Sequence, residues 1–192
     1  MRPRRSSGNP IVEGYPDTIE VNGEKRKVRT GFRYWMQLSR LLEDETVAPI
    51  EKMRTLYELT GLEPSDDPLA DLDAAVGFLC RNEKGGRTKE RTLDFDFDSG
   101  RIIASFQMQY GIDLTDPSLS MHWWRFLDLF AGLGNDTPIL QAVRIREAEL
   151  PGTKTKDERD RRAQLLEQKR RLAIPPKNSA DVLRRDRDIW GD

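Results

Sequence analysis

Over most of the stretch from Thr30 to Leu150 the apolar residues recur at steps of three and four, in segments cut apart by proline and glycine. No other feature constrains the fold as strongly, because that spacing lines one face of an α-helix and cannot line one face of a strand. Thr30 is a predicted N-cap for a helix carrying Phe32, Trp35, Met36, Ser39 and Leu42. A second helix is predicted from Pro49 to Thr60, with Ile50, Met53, Leu56 and Tyr57 inward and Gly61 as its stop. After the turn Pro64 to Pro68, Leu69, Leu72, Val76, Leu79 and Cys80 share one face of a third, and Asn82 to Thr92 reads as a polar loop. Ser99 is the predicted N-cap of a helix bearing Ile102, Ile103, Phe106 and Tyr110. Asp116-Pro117 then opens one in which Leu119, Trp123, Phe126, Leu127 and Phe130 step along a side that Trp124 broadens. Asp136 or Thr137 with Pro138 opens another, through Ile139, Leu140, Val143 and Leu150.

The flanking segments differ. Three prolines and two glycines in the first eighteen residues predict a flexible basic arm over residues 1–17. Asn22-Gly23, between Thr18-Ile19-Glu20-Val21 and the Lys25 to Arg29 run, favours a two-residue turn with positive φ at both positions, hence a small β-hairpin with Ile19, Val21 and Val28 as its buried side. Asp94-Phe95-Asp96-Phe97-Asp98 alternates strictly; as a strand it would bury the two rings and turn the aspartates to solvent. From Thr155 to Ala173 only Ala163, Leu165, Leu166 and Leu172 interrupt the charge, and the pairs Asp157–Arg161, Glu158–Arg162 and Glu167–Arg171 support a solvated or partner-packed helix. The predicted fold is mainly α: a compact multi-helix domain over residues 18–153 with its N-terminal β-hairpin, and a charged C-terminal helix and tail over residues 154–192.

Composition excludes several classes of function. Charged residues make up 34% and apolar residues 36%, and mean hydropathy is -0.71. No apolar run approaches the roughly 18–20 residues of a membrane span, so a soluble, unsecreted protein without membrane contact is expected. One cysteine, Cys80, and one histidine, His122, cannot form a disulfide or a Cys/His zinc site. The Asp94-Asp96-Asp98 series fails as a calcium loop, with glycine at the seventh position and Ser105 at the twelfth. His122 lacks a nucleophile motif and reads as a packing or hydrogen-bonding residue. Gly85-Gly86-Arg87 and Gly132-Leu133-Gly134 are too short for a phosphate loop. No enzyme, catalytic residue, cofactor or metal is expected.

The net charge of -1 divides into +4 over residues 1–33, -9 over 34–153 and +4 over 154–192. Basic ends around an acidic middle read either as arms for an anionic surface, including that of a neighbouring copy, or as solvated tails. Nucleic acid is disfavoured, because Arg2, Arg4 and Arg5 form a small cluster and Arg184, Arg185 and Arg187 are interrupted by Asp186 and Asp188. Trp190 is either an anchor for a partner or a ring folded back on its own chain.

The strings Gln109-Tyr110-Gly111-Ile112-Asp113-Leu114 and Met121-His122-Trp123-Trp124-Arg125-Phe126, the preceding Asp94-Phe95-Asp96, the Thr30 to Trp35 segment after a hairpin and the charged stretch from Asp157 to Pro175 resemble the bacteriophage family named after gene product fifteen. The resemblance covers roughly residues 17 to 176. It implies a small, mostly helical protein of phages with long non-contractile tails: a tail assembly chaperone that coats the tape-measure protein in the host cytoplasm and leaves before the virion is mature. It carries no catalytic residue. A structural virion component, such as a connector or tail-completion protein, and a nucleic-acid adaptor are the alternatives. Partners expected from it are the tape-measure protein and, beyond that, other tail proteins or a second copy. A groove for a helical client would use Phe32, Trp35, Met36, Tyr110, Trp123 and Trp124, with Trp124 the most exposed and Trp190 a separate anchor; the competing reading of each ring is the core.

Overall fold

The computed structural model describes residues 9–81 and 92–175. In chain order the elements are α1 (Pro10–Glu13), β1 (Thr18–Val21), β2 (Glu24–Lys27), α2 (Phe32–Glu43), α3 (Pro49–Thr60), α4 (Pro68–Leu79), α5 (Ser99–Tyr110), α6 (Trp123–Ala131), α7 (Pro138–Glu147) and α8 (Lys156–Leu172). The fold is mainly α with one small antiparallel hairpin, as the spacing predicts. The chain divides into two compact units, one of residues 1–86 with 120–131 and the other of 87–119 with 132–192.

In the first unit, residues 9–17 belong to the segment expected to be a flexible arm, yet they contain the single turn α1, whose Asn9 side chain accepts from the Ile11 N–H at 3.0 Å. β1 and β2 pair with Val21 opposite Glu24, and Asn22 and Gly23 take φ of 51° and 87°, as the two-residue turn requires. Ile19 and Val21 are buried and Val28 is half-buried. α2 starts one residue later than expected, with Gly31 and not Thr30 at its N-cap, because residues 30–32 pair with residues 121–123: Trp123 N–H donates to the Thr30 carbonyl at 2.7 Å and Phe32 N–H to the Met121 carbonyl at 2.9 Å. α3 has its predicted bounds, and Gly61 ends it in the left-handed conformation at φ 67°. Ile50, expected inward, is 74% exposed, while Thr60 is buried and donates its hydroxyl to the Leu56 carbonyl.

α4 turns the other way from its predicted face. Asp71, Ala75 and Phe78 are buried, whereas Leu69 and Val76 point outward and Leu72 and Leu79 lie half-buried between the two faces. The helix is apolar nearly all round, so periodicity alone does not choose a face. Phe78 decides it: its ring lies 4.4 Å from that of Trp35 and 5.2 Å from that of Trp124. α6 completes this core, with Phe126 stacked between Phe32 at 5.4 Å and Trp123 at 5.5 Å.

In the second unit, α5 and α7 pack together around Ile102, Phe106, Ile139 and Ala142. Ser105 ties them: its hydroxyl donates to Arg101 on its own helix and accepts from the Ile139 N–H in the first turn of α7. The expectations for two aspartate-bearing stretches fail here. The Asp94 to Asp98 run is a turn, not a strand, because the Asp94 carboxylate accepts from the N–H groups of Asp96 and Phe97 at 2.8 and 2.9 Å, a local alternative to strand pairing. Asp98 does not face solvent; it is fully buried against Arg146. Asp116-Pro117 likewise opens no helix: the Asp113 and Asp116 side chains close short turns onto Thr115 and Ser118, and the helix begins only at Trp123. α8 starts at a capping box in which Thr155 and Glu158 satisfy each other's backbone N–H groups, and it has no buried residue.

Candidate functional site

The aromatic residues proposed as a groove are largely structural. Phe32, Trp35, Trp123 and Trp124 are buried, and Met36 and Tyr110 are half-buried. Trp124, expected to be the most exposed, retains only 7% of its surface. The reason is the end of α4. A helix leaves its last carbonyls short of partners, and two indoles donate to them: Trp124 Nε1–H to the Phe78 carbonyl, which also accepts from the Arg81 N–H at 3.2 Å, and Trp123 Nε1–H to the Leu79 carbonyl, both indole contacts at 2.9 Å. Trp35 Nε1–H donates in the same way to the Arg29 carbonyl at 2.7 Å. Trp190 and the arginine clusters at both ends lie outside the described residues.

Around this centre the first unit forms a cleft of about 650 Å³ between α1 and β1, with Trp124 and Arg81 in its wall. Its polar groups were not singled out in the sequence. Two of them, Tyr15 and Arg81, meet on Asp128 of α6, which does not itself line the cleft: it accepts from Tyr15 Oη at 2.8 Å and pairs with Arg81, whose guanidinium lies 5.2 Å from the Trp124 ring centre. Arg81 is also one of two non-glycine residues described with positive φ, at 55°. Left-handed backbone costs such a residue of order 1–2 kcal/mol, and the Asp128 pair holds it there. Burial and the Asp128 carboxylate push the Tyr15 hydroxyl above its ordinary value. No local motif links residues 15, 81 and 128, so sequence spacing carries no sign of this trio.

His122 behaves as its aromatic setting suggests. Its Nδ1 accepts from the Trp124 N–H at 3.0 Å, Nε2–H donates to the Pro16 carbonyl at 2.9 Å, and Tyr15 stacks on the ring at 5.0 Å. Both nitrogens are therefore engaged with backbone when the ring is neutral. Burial holds the imidazole below its ordinary value, against the Pro16 carbonyl and Asp17, which favour the charged form. The folded protein thus takes up this proton at lower pH than the unfolded chain. The neutral ring's contribution to stability is complete above about pH 6.5 and shrinks as pH falls below it toward the folded value. His122→Gln should flatten the pH dependence of urea-unfolding stability between about pH 7 and 5; an unchanged slope would assign it to other groups.

Elsewhere the buried polar groups are structural as well. Asp71 accepts from Tyr57 Oη and the Ser65 N–H, both at 2.9 Å, while its Oδ1 has no partner among the described residues. Burial and the Asp71 carboxylate push Tyr57 up to about 12. Among the described residues no group of three or more His, Cys, Asp or Glu is placed to hold a metal ion, and no helix is long and apolar enough to cross a membrane.

Fold and site together define a mainly helical protein in which rings and charges brace the backbone. The family model described as Bacteriophage Gp15 protein matches residues 11–170, and the chain belongs to this family of phage structural or assembly proteins. Comparisons with curated proteins and with solved structures found no match.

Proposed function

We propose that the protein is a non-enzymatic tail assembly chaperone that binds the tape-measure protein in the host cytoplasm and departs before the virion is complete. The match to the phage family over residues 11–170 carries this reading. The surface adds physical support, since Leu69 and Ile50 of the first unit are each 74% exposed, and a client helix with an apolar stripe would cover such residues. Because Phe32, Trp35, Trp123 and Trp124 are core, client contact falls to these outer side chains. Co-expression with the tape-measure protein of the same phage should keep that protein soluble and recover the two together, and mass spectrometry of purified virions should lack this chain. A tape-measure protein equally soluble alone, with no complex formed, would remove the chaperone role; the chain found in virions would make it a structural component.

A further inference from the structure

The outward face of α4 combines apolar and acidic character and is exposed among the described residues. Leu69 is 74% exposed and Val76 36%, Asp73 and Cys80 are exposed, and the spacing 69, 73, 76, 80 places them along one line of the helix. Leu72 and Leu79 flank that line half-buried. Alternating steps of four and three form the seam by which one helix packs along another.

Charge narrows the partner. From Glu63 to Leu79 the chain has five carboxylates and no lysine or arginine. Asp71 is buried beneath the helix, and Asp67 is engaged at the N-cap with the Leu69 and Ala70 N–H groups. Asp73 remains on the seam, exposed between Leu69 and Val76, with no hydrogen-bond or ion-pair partner among the described residues. The same face of a second copy would bring a segment with five carboxylates and no lysine or arginine against Asp73, and nucleic acid or an anionic lipid surface would meet the same repulsion. A helix with an apolar stripe and basic flanks would instead cover the leucines and neutralise Asp73.

We propose that the Leu69–Asp73–Val76 face of α4 docks an amphipathic helix of another protein, with a lysine or arginine of that helix paired to Asp73. That the helix belongs to the tape-measure protein rests on the chaperone reading; the chemistry of the face does not.

The test uses the full chain and two designed helices of about three heptads, both with leucine at a and d, one with lysine and the other with glutamate at e and g. Fluorescence anisotropy should show the lysine helix binding at least about tenfold more tightly than the glutamate helix. Leu69→Ser with Val76→Ser should abolish binding with the circular dichroism unchanged. Asp73→Lys should reverse the preference, a gain of glutamate-helix binding that a folding defect does not produce. Binding that survives the double serine variant, or an unreversed preference, overturns the proposal. So does self-association of the chain that the serine variant abolishes, since a second copy would then occupy the face. If the lysine helix binds but tape-measure protein is not captured, the chaperone reading fails and the docking face stands; the converse result removes the face and leaves the chaperone.

Discussion

Arg146→Met should lower stability by about 3–5 kcal/mol, the range found when one partner of a buried ion pair is removed. Arg146 is 9% exposed and Asp98 is fully buried. The guanidinium donates from Nη1 and Nη2 to the two carboxylate oxygens, each at 2.7 Å, from Nη1 also to the Thr92 carbonyl at 2.9 Å, and from Nε to the Leu172 carbonyl at 2.7 Å. One side chain on α7 therefore secures the start of α5 and the end of α8. Its loss strands a charge and two carbonyls together, and Arg101, at 3.1 Å from Asp98 Oδ1, replaces only one contact. Asp98→Ala combined with Arg146→Met should cost less than the sum of the single changes, because neither charge is left alone. Burial alone would raise the Asp98 carboxyl, but the Arg146 hydrogen bonds, the contact with Asp94 and the charges of Arg146 and Arg101 outweigh it and hold the group below the usual carboxylate range. A carboxylate held low stabilises the fold above its unfolded value, so this contribution is present at neutral pH and is lost as pH falls below about 4. Urea unfolding with hydrogen exchange at α5 and α7 amides reads both effects; a loss under about 1 kcal/mol in Arg146→Met would show that the pair contributes little net stability.

Trp124→Ala should cost about 3–5 kcal/mol, the range for truncating a buried large aromatic. The ring packs on Phe78 and carries Arg81 on its outer side, so both contacts go with it. The Phe78 carbonyl at the end of α4 also loses its indole donor. Trp124→Phe separates the two parts: it keeps most of the packing and deletes the N–H, at a cost of about 0.5–1.5 kcal/mol, because the Phe78 carbonyl still accepts from the Arg81 N–H at 3.2 Å. Stability from chemical denaturation, set beside affinity for a helical client, distinguishes a brace from a contact residue. A Trp124→Ala protein of unchanged stability with lost client binding would restore the ring to a docking surface.

How much was legible in the sequence follows the range of the physics involved. Pro49 and Gly61 bound α3 as read, and the charged stretch read from Thr155 to Ala173 is α8, because caps, prolines and i,i+4 pairs act within a few residues. Asn22-Gly23 made its turn for the same reason. The errors have longer reach. Thr30 looked like a cap, but its carbonyl pairs with Trp123. Asp98 looked like one of three solvated aspartates, yet its partner lies 48 residues away. The Asp94 run is the local exception: its first carboxylate closed on the N–H groups two and three residues on, in place of strand pairing. Of the candidate site, the aromatic content was visible and its position was not: Trp124 broadens the apolar face of α6 in any helical projection, and only Phe78 shows that this breadth is buried.

The amino-acid sequence by itself determined that this chain is mainly helical, where its hairpin turns, and the strings that mark its phage family. Tertiary structure alone decided which face of α4 turns inward, which indoles close a helix end, and which charges pair in the interior. The division has one physical cause. Helix and turn formation depend on neighbours three or four residues away, whereas burial depends on residues that are distant in the chain and adjacent only after folding.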